Sequence, residues 1–268
     1  MAIITMSREM GSGGIPIAQQ LADELGYSLV DGDAIREAAA AHDLTEAALQ
    51  QADEKPPAFV ENLDRQIELS MHRIQLIVLE RALEGDVIIY GRGGQDLLPN
   101  VNSVLRVRVI APFEERVERW AEREWIDPDL ARSLVRKSDQ QRAGFIKYYF
   151  DRDWEEPLHY DLVINTQYMS NDCAVWLIKK AIEDPYLLEN EPACLEKIKD
   201  LIIQKKIQIA RLADERIQDI WFNIDVKGGH VLLSGHIYSD AERRAAIEGV
   251  KQTEGVRSIK DELKILNY

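Results

Sequence analysis

The sequence predicts an α/β domain, a parallel sheet covered by helices on both faces, followed by a small α+β domain. Three observations carry this. Short apolar runs alternate with longer segments of helical period along most of the chain, which is the pattern of strands buried on both faces between crossover helices. A glycine cluster, Gly11-Ser12-Gly13-Gly14, follows the first apolar run. Beyond an acidic stretch with two prolines, the pattern changes to two alternating runs joined by Gly228-Gly229.

The elements follow in order. Ala2 to Met6 is apolar and β-branched and reads as a strand. Ile15 to Leu25 carries Ile17, Ala18, Leu21 and Ala22 at helical spacing, and Gly26 fits a helix C-cap. Tyr27 to Val30 is a second strand, ending at Asp31-Gly32-Asp33. Ala34 to Gln51 reads as one Ala-rich helix, broken by Lys55-Pro56-Pro57, and Phe59 to Leu83 as a long one. Strands are expected at Val87 to Tyr90, Leu105 to Ile110 and Asp161 to Asn165. Helices are expected at Glu114 to Glu124, Pro128 to Tyr149 and Ser170 to Ile182. These segments place a first domain at 1–184 and a linker at 185–194, with a second domain at 195–268. The second domain opens with a helix over Leu195 to Ile220. A hairpin follows, Trp221 to Val226 and Val231 to Tyr238. A helix over Asp240 to Gln252, capped by Ser239, and an alternating run over Arg257 to Leu266 complete it.

Composition limits the partners. The 268 residues carry 33 Lys and Arg against 47 Asp and Glu, a net charge of −14. Such a field repels nucleic acid and anionic lipid, although a local basic pocket for a phosphate is compatible with it. Cys173 and Cys194 have neither metal-ligand spacing nor the number a disulfide framework needs, and read as reduced thiols of a cytoplasmic protein. The N-terminus has no basic segment followed by an apolar one, and no apolar run approaches the ~20 residues of a membrane span. The five histidines are scattered. His230 and His236 share one strand face, which reads as exposed rather than metal-binding. The run Phe145, Tyr148, Tyr149, Phe150 and Trp154 reads as core, with base stacking as the alternative.

A glycine-rich loop between the first strand and first helix is a phosphate site by physics. Backbone N–H groups converge there and the helix N-terminus adds positive dipole. GSGG fits the spaced dinucleotide fingerprint poorly. Against the mononucleotide loop, Gly14 falls where Lys is expected and Ile15 where Ser or Thr is expected. A tight turn with no ligand is the alternative. Strand ends add Asp31, Asp33 and Arg36 after the second strand, and Arg92 after the third, on the ligand side of such a sheet. Arg132 and Arg136 are i, i+4 on one helix, and Asp139 and Arg142 are i, i+3. They read as an anion clamp or as a solvated, ion-paired face.

The segments Ile4-Thr5-Met6-Ser7-Arg8-Glu9-Met10-Gly11-Ser12-Gly13-Gly14, Val30-Asp31-Gly32-Asp33, Tyr90-Gly91-Arg92-Gly93, Asp139-x-x-Arg142 and Tyr160-Asp161-Leu162-Val163-Ile164-Asn165-Thr166 together resemble the cytidylate kinase-like proteins. The resemblance implies a P-loop kinase-type fold and phosphoryl transfer from ATP, with Mg²⁺, to a nucleoside monophosphate, CMP or dCMP in the named members. It implies that Ser7, Gly11, Ser12, Gly13 and Gly14 cradle the donor phosphates beside Arg8. It places Asp31, Asp33, Arg36 and Arg92 at the acceptor. It also places Arg132, Arg136 and Arg142 in or near a lid, with Asp139 orienting Arg142. The Mg²⁺ ligands are open, with Ser12 and Asp33 as candidates. The chain departs from the family at Gly14-Ile15-Pro16, where neither the usual Lys nor the Arg common in this branch is present. This leaves a second reading, a nucleotide sensor with the kinase fold and little turnover. Residues Ile224 to Ile237, Glu254 to Ile259 and Leu263 to Ile265 resemble a BON domain. From Asp214 to Tyr268 there are ten acidic and eight basic residues, so no basic patch favours lipid. A regulatory or oligomerisation module, contacting a protein partner or a second copy, is expected.

Overall fold

A computed structural model describes residues 2–51, 54, 65–188, 191–217 and 222–266. Five parallel strands, β1 (Ile3–Arg8), β2 (Ser28–Val30), β3 (Val87–Tyr90), β4 (Val104–Ile110) and β5 (Leu162–Asn165), form one sheet in the order β2-β3-β1-β4-β5. The register sets Ile4 beside Ile88 on one side and Leu105 on the other. The strands are near-continuous apolar runs because both faces are covered. On one face Ile4, Met6, Ile88 and Val107 pack against Ile17 and Leu21 of α1 (Gly14–Leu25) and Ile178 of α8 (Asn171–Ile182). On the other, Ile3, Val87 and Ile89 pack against Ile74 and Val78 of α4 (Arg65–Glu84). Ending β1, β3 and β4 at one edge brings three loops together there, which is where such sheets bind ligands.

The helix expected over Ala34 to Gln51 is interrupted. Asp31 caps α2 (Gly32–Ala38), accepting from the amides of Asp33 and Ala34 at 3.0 and 3.1 Å. A short 3₁₀ turn follows, and Asp43 adopts a left-handed conformation, φ 51°. Its aspartate side chain tolerates that geometry, so the chain breaks and restarts as α3 (Glu46–Gln51). The expected break at Lys55-Pro56-Pro57 and the start of the long helix at Phe59 lie outside the described residues. A one-turn helix, α5 (Gly94–Leu97), follows β3. Helices α6 (Phe113–Glu124) and α7 (Pro128–Phe150) stand where expected, α7 with Asp127 as N-cap and Pro128 in its first turn. Phe145 and Trp154 are core residues.

The acidic stretch is largely helical. Pro185–Leu188 form one turn, α9, and α10 (Glu191–Ala213) begins three residues later. Prolines do not prevent this, since Pro185 and Pro192 both lie in first turns. The small sheet has β7 (His230–Ile237) between antiparallel β6 (Phe222–Lys227) and parallel β8 (Ser258–Ile265), with α11 (Asp240–Gln252) held by a Ser239–Glu242 capping box. His230 and His236 are exposed. Helix α10 is shared. Cys194, Ile198 and Ile202 belong to the core around α4, and Ile203 and Ile207 to the core of the small sheet. The Asp200 carboxylate accepts from the amides of Gly228 and Gly229 at 2.7 and 2.9 Å, which ties α10 to the hairpin turn.

The α4–α10 interface contains Lys205, which donates to Gln75 Oε1 at 2.7 Å and lies 3.1 Å from His72 Nδ1. Burial pushes its ammonium down to about 8. A folded-state value below the unfolded one means that folding disfavours the charged form, so stability from this group rises as pH increases from about 8 toward 10.5. Lys205→Met removes that rise. The difference between wild-type and variant unfolding free energies, read by urea titration across this window, changes by on the order of 3 kcal/mol. Among the described residues no helix is long and apolar enough to cross a membrane.

Candidate active site

The loop after β1 is built for a close backbone approach. Gly11 and Gly13 have φ of 81° and 85°, and a Cβ on Gly11 would lie 2.5 Å from the carbonyl oxygen of Arg116. Gly13 is also the N-cap of α1, so the helix N-terminus opens at the end of the loop. The loop is pinned from three sides. Thr166 donates to the Ser12 carbonyl at 2.8 Å, Arg116 to the Met10 carbonyl at 3.0 Å, and the Met10 amide to Asp139 at 3.0 Å. Ser7 is buried below it and accepts from Trp154 Nε1 at 2.9 Å. Arg108, also buried, stacks on Trp154 at 4.1 Å.

Gly14 is glycine because of Arg8. A Cβ there would lie 2.9 Å from the Arg8 Cβ and 3.1 Å from the Tyr90 hydroxyl. Arg8 crosses this space with its guanidinium 4.3 Å from the Tyr90 ring centroid. Arg8, at the end of β1, thus fills the space beside position 14, and a side chain there would collide with its stem.

Beside the loop lies a cleft of about 430 Å³, bordered by Arg8, Ile15, Asp31, Asp33, Arg92 and Arg142 among others. Ser138, Gln141 and Arg142 form the face of α7 that borders it, as their i, i+3, i+4 spacing allows. Glu54 also borders it. Arg8 Nη1 lies 2.9 and 3.1 Å from its two oxygens, Arg142 Nε lies 3.3 Å away, and the Arg92 amide donates to it. Burial alone would raise the Glu54 pKa, but Arg8, Arg142 and Arg92 outweigh it and hold the carboxylate at about 2. Arg92 has φ 56°, an uncommon conformation for a residue with a side chain and one that clusters at binding sites.

The structure thus brings Arg8, Arg142, Arg92, Asp31 and Asp33 to one cleft beside Ser7 and the Gly11–Gly14 loop. Other expected residues stand elsewhere. Arg132 is paired with Glu114 at 2.5 and 2.7 Å, and Arg36 with Asp33 at 2.5 Å and Glu46 at 3.3 Å; neither borders the cleft. Arg132 and Arg136 gather over the Phe113 ring, at 5.8 and 5.4 Å. Asp139 makes its short contact with Arg116, at 2.6 Å, and stands 4.0 Å from Arg142. It fixes the loop to α6 and α7 rather than orienting Arg142 closely. Two residues escaped the sequence reading. Glu54 is one acid among many in an acidic chain. Arg116 is buried, which its helical context does not reveal.

A parallel β2-β3-β1-β4-β5 sheet, with a glycine loop leading from the central strand into a helix and cations converging on it, defines a P-loop kinase-type protein. The family model described as "Cytidylate kinase-like family" matches residues 3–168, and a BON domain model matches 199–267. The chain belongs to the cytidylate kinase-like family, with a BON domain following. It is 31% identical to the cytidylate kinase of Methanopyrus kandleri over 199 residues, covering 71% of this chain and 97% of that one. It is 28% identical to that of Halobacterium salinarum over 200 residues, 74% and 98% of the two chains. Among solved structures, an uncharacterized protein from Eubacterium ventriosum shares the fold, with a TM-score of 0.56 and 22% identity over 69% of this chain and 99% of that one.

Proposed function

We propose that this protein is a nucleoside monophosphate kinase that transfers the γ-phosphoryl group of ATP to CMP or dCMP. The observation that carries it is the meeting of Arg8, Arg142 and the Arg92 amide in a cleft beside the glycine loop, with Arg8 Nε and Arg142 Nη1 buried and making no hydrogen bond among the described residues. Buried donors without acceptors are costly unless a ligand serves them. Relatives named cytidylate kinase support the acceptor assignment.

The chemistry asks little covalent help of the protein. The bond from the γ-phosphorus to the bridging oxygen breaks, an acceptor phosphate oxygen forms the new bond, and positioning with positive charge does the rest. In this reading the Gly11–Gly14 amides and the N-terminus of α1 hold the donor phosphates, with Ser7 supporting the loop from below. Arg8 stands in for the loop lysine and, with Arg142 and the Arg92 amide, also faces the acceptor phosphate. Asp31, Asp33 and Arg92 border the acceptor, and Arg142 acts on the transferring group. Arg132 and Arg36, paired at the surface, act at most on substrate entry. Mg²⁺ supplies charge neutralisation in such reactions. The chain does not offer it a free loop hydroxyl: Ile15 occupies that position, Ser12 Oγ donates to the Glu9 carbonyl at 2.8 Å, and Asp33 is paired with Arg36. Among the described residues no group of three metal-ligating side chains stands together. No step is therefore assigned to a protein-bound metal. A cytoplasmic location fits ATP as donor.

One observation favours a second reading, a nucleotide sensor with little turnover. The loop carries neither Lys nor hydroxyl at positions 14 and 15, while α10 joins the two cores and so offers the BON domain a route to the site through α4. An acceptor panel separates the two. CMP, dCMP, UMP and AMP are incubated with ATP and Mg²⁺, and diphosphates are resolved by chromatography. The kinase reading expects CDP or dCDP as the dominant product. ATP binding with no diphosphate from any acceptor favours the sensor.

A further inference from the structure

The cations assigned to substrate phosphate are already engaged, and by a group from the chain itself. Glu54 Oε2 receives Arg8 Nη1 at 2.9 Å and Arg142 Nε at 3.3 Å, while Oε1 receives Arg8 Nη1 at 3.1 Å and the Arg92 amide. The seat is closely shaped. A Cβ on Gly91 would overlap Glu54 Oε1 and Arg8 Nη1, and φ there is 76°. All three side chains are nearly shut off from solvent, at 13, 12 and 18% exposure for Arg8, Glu54 and Arg142.

Yet the carboxylate does not exhaust the donors. Among the described residues, Arg8 Nε and Arg142 Nη1 are buried and make no hydrogen bond, the latter standing 4.0 Å from Asp139. A carboxylate is planar, with two oxygens and one negative charge. A phosphate monoester presents three terminal oxygens and a charge of ≈ −1.5 to −2 at neutral pH. A donor set larger than its occupant is what remains when a smaller anion stands where a larger one belongs.

We propose that Glu54 is an internal occupant of the acceptor phosphate's seat, and that a phosphomonoester binds by displacing its carboxylate. The inference rests on the acceptor-site reading given above. Glu54 keeps Arg8 and Arg142 converged without substrate, and sets a threshold that a dianionic phosphate passes and a neutral nucleoside does not. Apparent affinity is then reduced by the fraction of molecules whose seat is filled.

The test is calorimetric titration of the full chain with inorganic phosphate and with CMP. The wild type is compared with Glu54→Gln, which removes the charge, and with Glu54→Asp, which keeps the charge but shortens its reach by a methylene. Both variants are expected to bind phosphate and CMP about tenfold more tightly, as when a seat filled nine-tenths of the time is vacated, with cytidine binding unchanged. Equal or weaker phosphate binding in the two variants overturns the proposal, because a carboxylate that only positions the arginines gives that result. Wild-type CMP binding with no gain in the variants defeats the proposal alone. Absence of CMP binding in all three chains that still bind ATP defeats the acceptor-site reading itself. Should neither variant fold, a crystal structure of the wild type with CMP decides. Glu54 displaced and phosphate on Arg8 and Arg142 supports the proposal; Glu54 still hydrogen-bonded to Arg8 overturns it.

Discussion

Arg142→Ala is expected to lower the rate of diphosphate formation by about 10³-fold, the scale on which arginines stabilise phosphoryl transfer, while ATP affinity changes little. Arg142 projects from α7 on the face that carries Ser138 and Gln141 into the cleft. Its Nε is held 3.3 Å from Glu54, while Nη1, 4.0 Å from Asp139, is buried and makes no hydrogen bond among the described residues. A guanidinium with an unserved, desolvated donor acts most strongly on charge that develops during transfer. The check is kcat and KM for CMP together with the Kd of ATP. A fall in turnover far beyond the loss of binding supports a transition-state role. Equal losses of both, or of neither, count against it. Arg142→Lys is expected to recover only part of the rate, because an ammonium lacks the planar fork.

Gly11→Ala should have the largest effect on the donor side, weakening ATP binding at least tenfold. The new Cβ would meet the Arg116 carbonyl oxygen at 2.5 Å, with φ at 81°. Arg116 cannot easily give way. Its side chain is buried and tied to the carbonyls of Ala111 and Met10 at 2.9 and 3.0 Å and to Asp139 at 2.6 Å. The loop must therefore shift, and with it the N-terminus of α1 that follows it. Gly26→Ala is the matched control. Its φ is 69°, but no heavy atom lies within 4 Å of the added Cβ. It should cost about 1 kcal/mol of stability through backbone strain and leave ATP affinity unchanged. ATP titration of the two variants checks this. Weakening by the same factor in both would mean that backbone strain at a glycine, rather than closure of this loop, sets the affinity.

How much of this was legible in the sequence depended on whether the information was local. The parallel strands declared themselves because each is a short apolar run closed by polar or glycine residues, as in Val87 to Tyr90 before Gly91. Helix ends were legible where caps are local, as with Ser239 and Gly26. The break at Asp43 was not, because an alanine-rich stretch hides a single residue in a left-handed conformation. At the site, Arg8 and Arg142 were legible by motif. Helical facing, rather than motif, sorted the others: Arg136 is six residues before Arg142, about 120° around the helix, and Arg132 found Glu114 instead. Glu54 carried no local mark. Its part comes from three partners 38 to 88 residues away in the chain, and only the fold brings them together.

We propose that these converging cations serve transfer between two nucleotides. The most direct measurement follows the label from γ-³²P-ATP in a reaction with Mg²⁺, CMP and the full chain. Label is expected in CDP, at a turnover on the order of 1 s⁻¹ or more, as for other kinases. Label that stays in ATP or appears only as inorganic phosphate, in a folded sample that binds both ATP and CMP, would contradict it.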